Sequence, residues 1–165
     1  MPEDKIKYFA YGSNLNIDQM KVRGANIYSM DKAKLPGWKL AFTFKSSNRG
    51  GGVLDIIPGD VDDLVKGVVY TIDFESLEKL DEFEGREIQD NREVGIYRRQ
   101  YIPVILGNNC KTVLTYVVNR ILEYKKKTHF PPSEEYIETV INGAESHDLD
   151  VDYIDKLKKF QDPEK

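Results

Sequence analysis

The sequence predicts an α+β fold, on three observations. β-favouring segments outnumber helical ones, hairpin turns and strand-to-helix turns follow one another in no regular order, and neither an internal repeat nor a linker divides the chain. With 165 residues, 40% of them hydrophobic and 32% charged, the chain reads as one globular domain at 1–160, able to bury a core, with a polar tail at 161–165.

The elements follow in order. Ile6 to Ala10 is rich in β-formers and reads as a strand, and it runs into the turn cluster Tyr11-Gly12-Ser13-Asn14-Leu15. A short helix from about Asn16 to Arg23 stops at Gly24. Pro36-Gly37 leads into a strand from Trp38 to Phe44. A Ser/Asn/Gly loop at 46–52 precedes a strand from Val53 to Ile57, which Pro58-Gly59 ends. Lys66 to Ile72 is the next strand, and Asp73 is placed to cap a helix from Phe74 to Glu84 that Gly85 closes. A charged loop, Arg86 to Gly95, precedes a hairpin of two strands, Tyr97–Ile105 and Lys111–Asn119, joined through Gly107-Asn108-Asn109. After a basic loop and Pro131-Pro132, one helix runs from Ser133 to Ile141 and ends at Asn142-Gly143, and a last amphipathic helix runs from Val151 to Phe160.

Composition narrows the chemistry. With 24 basic against 28 acidic residues the net charge is −4, which disfavours nucleic acid and anionic membranes as partners, because both are bound through clustered Lys and Arg. No apolar run approaches the ~18 residues of a membrane span, and the acidic start lacks a signal peptide's apolar stretch. A lone cysteine, Cys110, permits no intrachain disulfide and suits a cytoplasmic protein. The two histidines, His129 and His147, are not at metal-ligand spacing, so no metal is expected. Phosphate-binding glycine loops, the dinucleotide fingerprint and the serine nucleophile elbow are all missing. Acids and ten tyrosines remain, so if the chain is an enzyme its proton chemistry is expected to rest on a carboxylate.

The helix at 74–84 holds such a carboxylate. Phe74, Leu77, Leu80 and Phe83 define its apolar face, while Glu75, Glu78, Lys79 and Glu82 lie opposite. Asp81 and Glu84 fall inside the apolar face. A carboxylate directed at a core is costly unless bonded or protonated, and Glu84 also stands at the negative end of the helix dipole. Both effects raise its pKa, as general acid/base work near neutrality requires. The structural alternative is that both acids cap loops or pair with Arg98 and Arg99 in a structural network. In the turn after the first strand, Gly12 permits close backbone approach and Ser13 or Asn14 can cap the helix, so free amides there suit a carboxylate or oxyanion, or simply an ordinary turn.

Tyr8-Phe9-Ala10-Tyr11-Gly12-Ser13-Asn14-Leu15, followed by Leu80-Asp81-Glu82-Phe83-Glu84-Gly85, Gly95-Ile96-Tyr97-Arg98-Arg99, Tyr116 and Pro131-Pro132-Ser133-Glu134-Glu135-Tyr136, resembles the γ-glutamylcyclotransferase family across nearly the whole chain. The resemblance implies a small mixed β-barrel with flanking helices. It implies cleavage of a γ-glutamyl amide by attack of its own α-amine, giving 5-oxoproline and a free amine, with no metal and no cofactor. Glu84 is then the acid/base. Tyr8, Phe9, Ala10, Tyr11, Gly12, Ser13 and Asn14 hold the γ-glutamyl group, and Tyr136 contacts substrate. Tyr97 and Tyr116 are either hydrogen-bonding walls of that site or packed strand residues.

Three features stand outside the pattern. The stretch Arg86 to Val94 is long for compact members and lies where it reshapes the leaving-group pocket. Lys125-Lys126-Lys127 reads either as a solvated loop or as a preference for an anionic leaving group. Ser146-His147-Asp148 cannot form a triad from adjacent positions. The rival to a cyclotransferase is a non-catalytic module that binds a γ-glutamyl-like metabolite or partner, and a third possibility keeps the chemistry but releases a γ-glutamyl cap from a biosynthetic intermediate or a lysine side chain. A small-molecule γ-glutamyl substrate is the expected partner, and monomer and homodimer both fit.

Overall fold

The computed structural model describes residues 4–119 and 129–161. Lys125-Lys126-Lys127 and residues 162–165 of the polar tail lie outside the described residues. Five strands close a barrel in the order β1 (Lys5–Ala10), β5 (Leu64–Asp73), β2 (Ile27–Pro36), β8 (Tyr97–Leu106) and β9 (Asn109–Val118). Their pairings are antiparallel except where β1 meets β9 in parallel at Tyr8 and Leu114, which makes the barrel mixed. A hairpin of β3 (Trp38–Ser46) and β4 (Gly51–Pro58) covers the barrel and buries Phe42, Leu54 and Ile56. Asp55 fastens it, accepting from Val118 N–H at 3.0 Å and Thr43 Oγ1 at 2.9 Å.

β2 is the strand that local pattern does not reveal. Of its residues only Ala33 and Leu35 are buried, so there is little apolar alternation to read. Pairing makes it a strand, with Ile27 opposite Ile72 at one end and Pro36 opposite Leu64 at the other. The charged stretch after Gly85 also carries structure: β6 (Ile88–Gln89) and β7 (Arg92–Glu93) form a small hairpin whose turn residues, Asp90 and Asn91, both adopt positive φ.

Among the described residues four α-helices flank the barrel: α1 (Ile17–Val22), α2 (Phe74–Phe83), α3 (Glu134–Ser146) and α4 (Val151–Lys158). Caps fix all four starts, with Asn16 accepting from Gln19 N–H at 3.2 Å, Asp73 from Ser76 N–H at 2.8 Å, Ser133 from Tyr136 N–H at 3.1 Å and Asp150 from Tyr153 N–H at 3.2 Å. α3 passes through Asn142-Gly143, where the composition predicts a stop. Gly143 serves close approach instead, since a Cβ there would stand 2.5 Å from Asn16 N, so the absent side chain lets α3 lie against the turn after β1. After α4, residues Lys159–Gln161 form a 3-10 turn. No helix among the described residues is long and apolar enough to cross a membrane.

Candidate active site

α2 brings its two inward acids to the barrel end with opposite surroundings. The buried residues of the helix are Ser76, Leu77, Leu80 and Asp81, and Glu84 lies near the middle of that face as the C-cap. The apolar face is narrower than the pattern suggests: Phe74 and Phe83, at its two edges, are 52% and 54% exposed. Asp81 is enclosed by donors. Tyr116 OH donates to its Oδ1 at 2.6 Å, Arg99 Nε donates at 3.1 Å and pairs again through Nη2, and Arg86 Nη1 lies at 3.4 Å. Arg86 also pairs with Glu93 of β7 at 2.8 Å, so the stretch at 86–94 supplies this network. None of it lines the cleft where the leaving group was expected to meet it.

Glu84 has far less. Its side chain is 16% exposed, accepts from Asn14 Nδ2 at 3.1 Å, and lies 3.6 Å from Arg23 Nη1. Burial raises its pKa, opposed by the charges of Arg23 and Arg49 and by the Asn14 bond. Asn14 is fixed on every side: its Oδ1 accepts from Gln19 Nε2 at 2.9 Å and from Arg23 Nη1 at 3.1 Å, which orients Nδ2 toward Glu84 and toward Tyr8 OH at 2.9 Å. The Asn14 carbonyl accepts from Tyr70 OH at 2.8 Å, and Tyr70 OH in turn lies 3.1 Å from Nε2 of His147.

Two connected spaces meet at Glu84. An inner pocket of about 30 Å³ is walled by Tyr8, Tyr11, Tyr97 and Tyr116, by the Gly12-Ser13-Asn14 turn, and by Leu54. An outer cleft of about 590 Å³ shares Ser13, Glu84 and Tyr97 with it. The tyrosine hydroxyls are committed to the frame: Tyr11 OH donates to the Tyr116 carbonyl at 2.6 Å and Tyr97 OH to the Leu54 carbonyl at 2.6 Å, while Tyr136 OH accepts from Leu54 N–H at 3.0 Å. Burial holds Tyr8, Tyr11, Tyr97 and Tyr116 above the ordinary phenol range and pushes Tyr136 up to about 12, so all five remain neutral hydroxyls near neutrality.

Residues 13–15 form one 3-10 turn whose internal bonds begin with Leu15 N–H and Asn16 N–H, so the Ser13 and Asn14 amides have no partner inside the turn. Glu84, Tyr8, Tyr11, Gly12, Ser13, Asn14, Tyr97 and Tyr116 thus converge on the inner pocket, and Tyr136 stands in the outer cleft. Phe9 and Ala10 line neither space. Both are buried, with the Phe9 ring set against Gly67 of β5, and as successive strand residues they pack on opposite faces of β1. Four polar residues come to the site without any local signal: Gln19, Arg23, Arg49 and Tyr70. Asp55, a lone acid in an apolar strand, is the one neighbour that carried a readable signal.

The comparisons with known proteins agree with this geometry. A family model described as "Gamma-glutamyl cyclotransferase, AIG2-like" matches residues 8–138. The chain is 28% identical to human gamma-glutamylcyclotransferase, over 96% of this chain and 80% of that protein. It is 30% identical to the mouse protein of the same name, over 93% of this chain and 78% of that one. A solved structure named gamma-glutamyl cyclotransferase superposes with a TM-score of 0.77 at 28% identity, covering 94% of this chain and 87% of that one. The chain belongs to the gamma-glutamyl cyclotransferase, AIG2-like family.

Proposed function

We propose that the protein cleaves a γ-glutamyl amide by intramolecular attack, releasing 5-oxoproline and a free amine. The observation that carries this reading is a single half-buried carboxylate, Glu84, at the junction of a small polar pocket and a wide cleft. The inner pocket, with a volume about that of one water, admits a single polar atom of the substrate's α-end, and the rest of the substrate lies in the outer cleft. That places the scissile amide beside Glu84.

The substrate's α-ammonium cannot attack until it loses a proton. Glu84, ionised and steadied by Asn14 and Arg23, accepts it. The α-nitrogen then forms a bond to the γ-carbonyl carbon and closes a five-membered lactam, with proximity supplying several kcal/mol of the barrier. As the carbon–nitrogen bond of the amide breaks, Glu84 returns its proton to the departing amine, and the second proton that the α-nitrogen sheds as it becomes the lactam N–H follows to the same amine, which leaves as an ammonium. Atoms balance without water, because the nucleophile belongs to the substrate, and for the same reason the step calls for neither metal nor cofactor. The Ser13 and Asn14 amides suit the negative charge that develops on the carbonyl oxygen or the substrate carboxylate.

The test is mass-spectrometric detection of 5-oxoproline from a panel of γ-glutamyl amino acids, γ-glutamyl amines and glutathione, beside α-N-acetylated versions. Product from the free amines alone is expected. Comparable cleavage of an acetylated substrate would replace cyclisation with hydrolysis, and binding without product from any member would make the protein a γ-glutamyl-binding module.

A further inference from the structure

His147 takes no direct part in the reaction at Glu84, yet the fold ties it to the site from behind. It is the C-cap of α3, and its ring meets that of Tyr70 edge-on, with the centroids 5.8 Å apart. Tyr70 is fully buried on β5, and its hydroxyl reaches three groups at once: the Asn14 carbonyl at 2.8 Å, the Leu15 carbonyl at 3.1 Å and Nε2 of His147 at 3.1 Å. One hydroxyl hydrogen cannot serve all three. Given to the Asn14 carbonyl, the shortest contact, it leaves the phenol oxygen free to accept, so the network assigns the imidazole hydrogen to Nε2. The Leu15 carbonyl also bonds the imidazole. Burial raises the Tyr70 pKa, which keeps its hydroxyl a donor.

Those two carbonyls begin two chains of peptide groups. The Asn14 carbonyl shares its peptide with Leu15 N–H, which donates to the Gly12 carbonyl at 3.0 Å, and that carbonyl shares its peptide with the Ser13 amide. The Leu15 carbonyl shares its peptide with Asn16 N–H, which donates to the Ser13 carbonyl at 3.0 Å, and that carbonyl shares its peptide with the Asn14 amide. Each chain therefore runs from Tyr70 and His147 behind the turn to one amide at its open end, on the segment that walls the inner pocket. A donor at one end of such a chain polarises the groups along it, by about 10–30% per bond. Attachment of α3 to the turn has other supports: Asn16 Nδ2 donates to the Thr139 carbonyl at 3.3 Å, and Gly143 gives close approach.

We propose that Tyr70 and His147 are positioning residues for the reaction: together they fix and polarise the Gly12-Ser13-Asn14 turn from its carbonyl end, Tyr70 acting mainly through the Ser13 amide and His147 mainly through the Asn14 amide. The inference rests on the cyclotransferase reading and deepens it. Negative charge on the γ-carbonyl oxygen grows only as the ring closes, so polarised amides act on kcat more than on KM. The same hold fixes Asn14, whose Nδ2 donates to Glu84 at 3.1 Å.

The experiment measures 5-oxoproline release by Tyr70→Phe, His147→Leu and His147→Gln, on the γ-glutamyl amino acid that the unaltered protein turns over fastest, beside the amide proton shifts of the isotope-labelled proteins. Tyr70→Phe and His147→Leu are each expected to lower kcat by about 5- to 30-fold, less than the loss from deleting an oxyanion donor outright, with KM within about twofold. His147→Gln keeps a side-chain N–H near the place of Nε2 and returns kcat to within about threefold. Gln and Leu both remove the ring, so the difference between them isolates the donor. In the spectra Asn14 N–H moves upfield in His147→Leu relative to His147→Gln, and Ser13 N–H moves upfield in Tyr70→Phe. Unchanged kcat in the folded variants, a loss confined to KM, or equal loss in His147→Gln and His147→Leu overturns the inference. If His147→Leu does not fold, Tyr70→Phe, which deletes one oxygen, decides. Absence of 5-oxoproline from the unaltered protein overturns the cyclotransferase reading, and the amide shifts then decide alone whether the pair acts on the turn.

Discussion

Asp81 and Glu84 stand one turn apart on the same face of α2, yet the two ends of that turn are built in opposite ways. Around Asp81 the fold supplies a donor for each oxygen: Tyr116 OH, the Arg99 guanidinium and, more loosely, Arg86. Around Glu84 it supplies one amide and one guanidinium at 3.6 Å, and leaves the rest of the carboxylate toward open space. A carboxylate with its acceptors filled is a structural anchor. One that is half-buried, under-supplied with donors and next to a cavity is available to move a proton. Position on the helix does not separate the two roles; the supply of donors from β8 and β9 does.

The sharpest way to break that contrast is Glu84→Gln. If Glu84 moves the proton, turnover falls by about 10²- to 10⁴-fold while substrate still binds, checked by 5-oxoproline release beside calorimetric titration. Retained turnover would remove Glu84 from the chemistry. Asp81→Asn should act on the fold instead. It strips the negative charge from between Arg99 and Arg86 and costs about 3 kcal/mol in a denaturant melt, with turnover persisting in the protein that remains folded. An Asp81→Asn protein of full stability and no turnover would exchange the two roles.

Smaller effects sharpen the same comparison. Arg23 lowers the Glu84 pKa against burial, so Arg23→Gln lets it rise further. The ionised base then appears at higher pH, and the acid limb of the kcat/KM profile moves up in pH. An acid limb that stays in place would show that some other group is titrating. The last effect is on stability. With the Glu84 carboxyl raised by burial, the folded state holds more protons than the unfolded state between the ordinary carboxylate range and the folded value. Stability therefore falls as pH rises through that window, and the cost is fully present above it. Glu84→Gln escapes the cost, so it should melt higher than the unaltered protein at pH 7 and lose that advantage below about pH 4. A lower melting temperature at pH 7 would mean that the pairing with Arg23 outweighs burial.

The α+β class, most strands, the capped helix at Asp73 and the carboxylate on its inner face are all legible in the residue order. Each is a local matter: β-formers between turn residues, a 3.6-residue period, and an acid where that period demands an apolar group. The Tyr8–Asn14 turn was legible for the same reason, as seven of the site positions named from it are contiguous, although Phe9 and Ala10 are buried on the two faces of β1 and line neither space. β2 was not legible, because its residues are mostly exposed and only pairing with β5 defines it. Nor were Arg23 and Arg49. Charged residues beside a helix end and in a Ser/Gly loop look like any solvated pair, and only closure of the hairpin against α3 turns both into one cleft. Tertiary structure alone decided which of two acids on one helix face is bound and which is available. That outcome depends on donors contributed by strand residues 18 and 35 positions away, a separation that no helical period records.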